Sequence, residues 1–159
     1  MKPSVKSDFT KLNDFIRGLE GAGKYQVNVG IMGNKNARND GAGSTNAEIG
    51  AKHEWGSFSD RIPKRSFLRM PIFDKQAEIE AELKAKSGKD ILAGNIKKVL
   101  ADLGTIAEGI IGDAFQTGGF GKWPPLAPYT IEHKIDHNPQ QLVNTRQLSR
   151  AITSEVVEK

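Results

Sequence analysis

The stretch Ala47–Phe73 reads AEIGAKHEWGSFSDRIPKRSFLRMPIF, and the predicted fold is organised around it. Its second half combines aromatic and cationic residues, with no acidic residue after Asp60. Pro63 and Pro71 bias the residues before them away from helix, so residues 57–70 are predicted to be extended. The stretch is therefore interpreted as a hinge between a sheet and a layer of helices.

Helical patterns lie on both sides of this extended segment. Residues 47–55 are predicted to form a short helix that is capped by Asn46 or Thr45. Pro71 fits the first turn of the next helix, which is predicted over residues 72–87 with a solvated face rich in Glu and Lys.

The longest helix is predicted over residues 90–115, because apolar residues recur there every three or four positions. This core stripe comprises Leu92, Ile96, Val99, Leu103, Ile106 and Ile110. Four glycines weaken the helix by about 1 kcal/mol each relative to alanine, and they would let a neighbouring backbone approach closely. They are Gly94, Gly104, Gly109 and Gly112.

The strands are predicted from strict alternation of apolar and polar residues. Residues 25–32 (YQVNVGIM) alternate cleanly, and a final strand is predicted at about residues 151–157. A short helix over residues 145–151 precedes the final strand, and an amphipathic helix is predicted over residues 7–19. We therefore expect an α+β fold, in which a small, mainly antiparallel sheet packs against one long core helix and shorter helices.

The remaining segments are predicted to be irregular. Residues 33–46 (GNKNARNDGAGSTN) are polar or turn-forming and are expected to form a long flexible loop. Residues 1–6 and 158–159 are expected to be loose ends. At 159 residues the whole chain, 1–159, is predicted to form a single domain.

The overall charge allows several kinds of partner. The formal net charge is +4, which is mild for a dedicated nucleic-acid binder. Basic ends flank an acidic helical middle, a distribution that suits head-to-tail association of like subunits as well as it suits contact with DNA. The chain has no cysteine, which excludes disulfides and thiolate chemistry. Neither a membrane span nor a secretion signal is predicted.

No residue pattern predicts catalysis, a cofactor or a metal site. The segment Gly18–Lys24 has the GxxxxGK spacing of a phosphate loop, but it follows a helix, and Tyr25 stands where a hydroxyl should bind magnesium. His133 and His137 have a metal-compatible spacing, yet a proline-flanked context without cysteine favours solvated histidines. We therefore expect a protein that is not an enzyme.

Three blocks of sequence carry a resemblance to a known family. The first is Ala51–Gly56 (AKHEWG) and the second is Arg61–Arg69 (RIPKRSFLR), which is similar to a basic I-P-x-R-P-F-L-R run. The third begins with Gly121–Leu126 (GKWPPL) and continues through Thr130, Lys134, Leu142–Thr145 and Leu148. Together the blocks resemble the tailed-phage virion morphogenesis proteins of the tail-completion, or head–tail joining, group. Ser66 stands where proline is common in that family, and Arg146 where glycine is common.

The resemblance implies a structural subunit without catalysis, which completes the head-proximal end of the tail and joins it to the head connector. It implies a homo-oligomeric ring, hexameric or similar, that contacts the tail terminator or tail tube on one side and a connector or head-closure protein on the other. Its place would be the virion neck, after a period in the host cytoplasm. A tail terminator or a minor tail protein of the same virion is the nearest alternative. A non-specific nucleic-acid-binding accessory protein is a further one.

Seven residues are predicted to form the partner interface. The aromatic anchors are Trp55, Phe67 and Trp123, because aromatic residues dominate interface energetics, although simple core packing remains open for each of them. The cations are Arg61, Lys64, Arg65 and Arg69. They are expected to pair with acidic partner surfaces or to face DNA in the channel, and the loop over residues 33–46 is expected to order on assembly.

Overall fold

The computed structural model describes Ile16 and residues 23–41, 43–135 and 137–159. Apart from Ile16, the helix predicted over residues 7–19 lies outside the described residues. The predicted loose end over residues 1–6 and most of the Gly18–Lys24 segment lie outside them as well.

The described residues confirm the α+β fold. A two-stranded sheet consists of β1 (Tyr25–Ile31) and β2 (Ile152–Glu158). A 3-10 turn, Gly33–Lys35, follows β1. The helices of the described part are α1 (Asn46–Trp55), α2 (Arg69–Asp74), α3 (Gln76–Leu92), α4 (Ile96–Thr117), α5 (Pro128–Glu132) and α6 (Gln147–Arg150). None of these helices is long and apolar enough to cross a membrane.

The two strands pair antiparallel and pack against α4. Tyr25 lies opposite Glu158, and Ile31 lies opposite Ile152. The prediction of a loose end at residues 158–159 is wrong, because Glu158 completes β2 and the N–H of Lys159 donates to the carbonyl of Lys24 over 2.9 Å. Backbone pairing with the start of β1 therefore holds the end of the chain.

The predicted helix over residues 90–115 is divided into two helices. Helix α3 runs to Leu92 and α4 begins at Ile96, with Gly94 between them at φ 71°. A positive φ of this kind ends a helix and favours glycine. Leu92, assigned to the core stripe, is consequently 68% exposed at the end of α3.

The core has two clusters on the inner face of α4. In the larger one, the ring centroids of Phe67 and Phe115 lie 5.3 Å apart, and those of Phe115 and Trp123 lie 5.8 Å apart. The smaller cluster joins α3 to α4 through Ile79, Ile106 and Ile110. Phe67 comes from the extended segment before α2, so this segment connects the sheet side to the helical layer, as the hinge interpretation expects.

The loop over residues 33–46 is mostly irregular, as its composition predicts, but side-chain hydrogen bonds hold part of it. Asn46 is buried, and its Nδ2 donates to the carbonyls of Lys35 (2.8 Å) and Ala37 (3.3 Å). Arg38 donates from Nη1 to Asn46 Oδ1 over 2.8 Å and forms an ion pair with Asp40. Thr45 and Glu48 form a reciprocal capping box at the start of α1, which confirms Thr45 as the N-cap.

Gly104 is the glycine of α4 that allows a close approach by β2. We therefore expect Gly104→Ala to destabilise the protein by about 1–3 kcal/mol. A Cβ at this position would lie 2.5 Å from Ser154 Oγ and 2.7 Å from Ser154 Cβ on β2. Gly109 and Gly112, on the same helix, have no neighbouring atom within 4 Å of such a Cβ. Their alanine variants should therefore stabilise α4 by up to about 1 kcal/mol. Urea unfolding of the three variants measures the contrast, and equal effects at all three positions would contradict it.

Arg146 occupies a left-handed turn before α6, so we expect Arg146→Gly to raise the free energy of unfolding by about 1 kcal/mol. Its backbone has φ 60° and ψ 9° although a side chain is present. An arginine thus occupies a left-handed turn of the kind that favours glycine. Arg146→Ala removes the same side chain and keeps the strain, so it serves as the control, and chemical denaturation compares the two variants.

Candidate functional site

The candidate site is built around the carboxylate of Glu54, in the last turn of α1. Glu54 is 4% exposed, and it accepts hydrogen bonds from the backbone N–H groups of Phe67 (2.8 Å), Leu68 (3.0 Å) and Arg69 (3.4 Å). It also accepts from Ser66 Oγ (2.6 Å) and from Arg69 Nε (2.9 Å). The first N–H groups of a helix lack partners within the helix, so Glu54 caps the start of α2 from a different helix.

The protonation state of Glu54 follows from these contacts. Burial on its own would raise the pKa of this carboxyl, but hydrogen bonds from Leu68, Ser66, Arg69 and Phe67 outweigh burial and lower the pKa. Glu54 is therefore ionised at neutral pH and acts as a structural acceptor rather than as an acid. Ser66 contributes to this arrangement through its hydroxyl group, which donates to the carboxylate.

Arg65 does not face a neighbour, and its prediction as an interface residue is wrong. It is 4% exposed, and its guanidinium donates to the carbonyls of Pro124 (3.0 Å) and Pro125 (2.9 Å). Burial lowers its pKa below the ordinary value. A planar guanidinium can bind two carbonyl oxygens at once, so Arg65 ties the extended segment to the loop before α5.

Phe67 and Trp123 are core residues, so the alternative of simple packing holds for both. Phe67 is fully buried, and Trp123 is 6% exposed. Trp123 Nε1 donates to the carbonyl of Ser66 over 3.1 Å, which pairs the one polar atom of the indole ring. Neither side chain is available to a partner in this conformation.

The three sequence blocks that carry the family resemblance meet at this point. Glu54 belongs to the first block, Arg65 and Ser66 to the second, and Trp123 to the third. The contacts described above join the first block to the second and the second to the third. We name this cluster of Glu54, Arg65, Ser66, Phe67 and Trp123 the junction.

Trp55 and Arg69 lie on the outer side of the junction and remain accessible. Trp55 is 62% exposed, and the guanidinium carbon of Arg69 lies 3.6 Å from a ring centroid of the indole. Arg69 therefore serves two internal contacts, one with this ring and one with Glu54, while about half of its side chain stays in solvent. Phe73, on α2, is 81% exposed.

A tight hairpin, rather than an extended segment, follows Gly56. Ser57 and Ile62 form a bridge with N–H to carbonyl distances of 2.9 and 2.8 Å. We name residues 57–62 the hairpin tip. Phe58 is fully exposed there, although it was not among the predicted interface residues. Its polar neighbours, Ser57 and Ser59–Asp60, are the sequence signal from which its exposure could have been predicted.

The remaining predicted cations are both exposed: Arg61 belongs to the hairpin tip, and Lys64 lies just after it in the sequence. Among the residues that the structure describes, neither forms an ion pair, whereas the nearby Lys52 pairs with Asp60 at 2.8 Å. This part of the described surface thus has two positive charges without an ion pair among the described residues.

The three histidines differ in their surroundings. His53 is partly buried, and burial, together with the positive charge of Arg65, lowers its pKa to about 4. His133 stacks on Tyr129 with ring centroids 4.0 Å apart. In the described part of the chain, no three His, Asp or Glu side chains come together in a group able to hold a metal ion.

Comparisons with protein-family models, with curated proteins and with solved structures found no match to this chain.

Proposed function

We propose that the chain is a structural virion protein of a tailed bacteriophage, which completes the head-proximal end of the tail and joins it to the head connector. It would act as a subunit of an oligomeric ring in the neck. Its partners would be a tail terminator or tail tube protein on one side and a connector or head-closure protein on the other.

One observation carries this proposal. Of the three blocks that resemble the tail-completion group, the first two are neighbours in the sequence and the third begins only at Gly121, yet side chains from all three form one buried junction. The junction supports an exposed surface of aromatic and cationic side chains. That surface consists of Trp55, Phe58, Arg61, Lys64, Arg69 and Phe73. Large exposed aromatic residues next to cations are typical of protein interfaces, in which Trp, Tyr, Phe and Arg are enriched.

Removing the protein from an infection tests the proposal. If the gene is interrupted in the phage that carries it, we expect filled heads and complete tails that fail to join, as seen by electron microscopy of the lysate. Purified protein added to that lysate should restore joined particles. Tails of abnormal length would instead indicate the alternative function of a tail terminator. Purified virions that lack the protein would contradict a structural role in the virion.

Lys64→Glu tests the surface without disturbing the fold. Lys64 is exposed and has no ion pair among the described residues, so the substitution should change the free energy of unfolding by less than about 0.5 kcal/mol. We expect it to reduce the restoration of joined particles strongly. Lys89→Glu makes the same charge change at an exposed position of α3 and should restore joining normally. Equal activity of both variants would exclude Lys64 from the interface.

DNA binding by the isolated protein separates the proposal from the alternative of a nucleic-acid-binding accessory protein. Such a protein would bind duplex DNA with an affinity that falls steeply as salt rises. We expect no binding at moderate salt, because the described surface has only two cations near the hairpin tip without an internal partner.

A further inference from the structure

The hairpin tip presents an aromatic side chain on a rigid support. Besides the Ser57–Ile62 bridge, Ser57 Oγ donates to Asp60 Oδ2 over 2.9 Å, and the N–H of Arg61 donates to the Phe58 carbonyl over 3.2 Å. These contacts fix the turn although Phe58 itself touches nothing that buries it. A preorganised backbone loses little conformational entropy on binding, which favours the use of Phe58 as an anchor.

An open apolar groove is the second surface feature of interest. It runs between β1, α2, α3 and α4, and its lining includes Val29, Ile72, Phe73, Ile79, Leu83 and Leu103. Glu80, Gln76 and Arg69 stand at its rim. Phe58 is fully exposed, so the groove of its own chain does not hold it.

The charges of these two surfaces are complementary. The sequence from Asp74 to Leu83, which borders the groove, has four carboxylates and one lysine. Asp74 pairs with Lys122 and Glu78 pairs with Lys75, so Glu80 and Glu82 are the carboxylates of this stretch without an ion pair among the described residues. Beside the hairpin tip, Arg61 and Lys64 are exposed, and Arg69 at the groove is already engaged by Glu54 and Trp55. Opposite charges on the two patches favour encounter and fix orientation.

We propose that the hairpin tip of one subunit docks into the apolar groove of a second copy of this chain, with Phe58 in the groove and Arg61 and Lys64 against its acidic rim. Two different surfaces of the same chain would meet, and such a heterologous contact generates rings when the rotation closes. The inference rests on the proposed function, because it names the contact between ring subunits.

Cross-linking tests this contact directly, because the chain has no cysteine and introduced thiols are therefore unique. Ser59→Cys places a thiol next to Phe58, and Gln76→Cys places one at the rim of the groove. The two purified variants, one carrying a size tag, are mixed at high concentration and treated with a short bismaleimide. We expect a tagged–untagged dimer as the main product. Glu155→Cys, at an exposed position of β2, replaces Gln76→Cys in the control and should give little product.

Three further substitutions show whether the anchor and the charges act as proposed. Phe58→Ser in the Ser59→Cys chain should lower the yield about tenfold, as expected for an aromatic hot spot. Lys64→Glu should also lower it, and Glu80→Lys in the other chain should restore it. Rescue by charge exchange requires that the two side chains meet across the interface.

Three results would overturn the inference. The first is an equal yield with the control pair, and the second is a predominant dimer of two Ser59→Cys chains. The third is preferential cross-linking within one chain between Asn13→Cys and Gln76→Cys, which would assign the groove to the N-terminal segment. Each of these results is compatible with the presence of the protein in virion necks, so the inference can fail while the proposed function holds. Absence of the protein from virions would instead contradict the proposed function.

Discussion

Glu54→Ala is expected to lower the free energy of unfolding by about 3–5 kcal/mol, the largest effect of any polar substitution in this protein. The variant leaves the N–H groups of Phe67 and Leu68 without their acceptor, and Phe67 is fully buried. It also leaves Ser66 Oγ, in a residue that is 8% exposed, without its short hydrogen bond of 2.6 Å. Arg69 is half-exposed and can be solvated, so the cost arises mainly from the buried donors.

Chemical denaturation followed by tryptophan fluorescence measures this effect. Glu82→Ala is the matched control, since Glu82 is exposed on α3 and should change stability by less than about 0.5 kcal/mol. Glu54→Gln keeps one acceptor oxygen, so its cost should be lower than that of Glu54→Ala, at about 2–3 kcal/mol. A cost remains because its new amide group is a donor that faces other donors. A Glu54→Ala variant as stable as Glu82→Ala would show that the junction does not depend on this carboxylate.

The stability of the junction should also depend on pH. The pKa of Glu54 in the folded protein lies below its ordinary value of 4.5, so at acidic pH the Glu54 side chain binds fewer protons in the folded state than in the unfolded state. Its stabilisation is therefore complete above pH 4.5 and is lost as the pH falls through the lower, folded-state pKa. The difference in unfolding free energy between the native protein and Glu54→Gln should shrink over that acidic range. A constant difference would contradict the assignment.

Local patterns in the sequence predicted the elements of the fold well. The alternation in residues 25–32 and the cap at Thr45 depend on near neighbours, and both predictions are confirmed within one or two residues. The division of the long helix at Gly94 was missed because an apolar stripe continues across it, and the stripe alone does not reveal a positive φ.

The candidate site was predicted less well, because burial there depends on distant contacts. Arg65 resembles its neighbour Lys64 in sequence, yet its carbonyl partners Pro124 and Pro125 lie about sixty positions away. A cation in a basic run is normally solvated, and only the pairing of two distant loops reverses that expectation. The role of Glu54 as a buried acceptor was not predicted for the same reason, since its donors come from residues 66–69.

Phe67→Ala is expected to cost about 3–5 kcal/mol, because it removes a fully buried ring and leaves a cavity against Phe115 and Leu148. Gly50 borders the same space, because a Cβ there would lie 3.2 Å from Phe67 Cζ, and it has no side chain that could fill the cavity. Phe58→Ala deletes the same atoms from a fully exposed position and should change stability by less than about 0.5 kcal/mol.

The two variants should have opposite consequences for assembly: at temperatures where both are folded, Phe67→Ala should still join particles and Phe58→Ala should not. Thermal unfolding and the joining assay on the same samples separate the roles, and a stable Phe67→Ala protein that fails to join would return Phe67 to the partner interface.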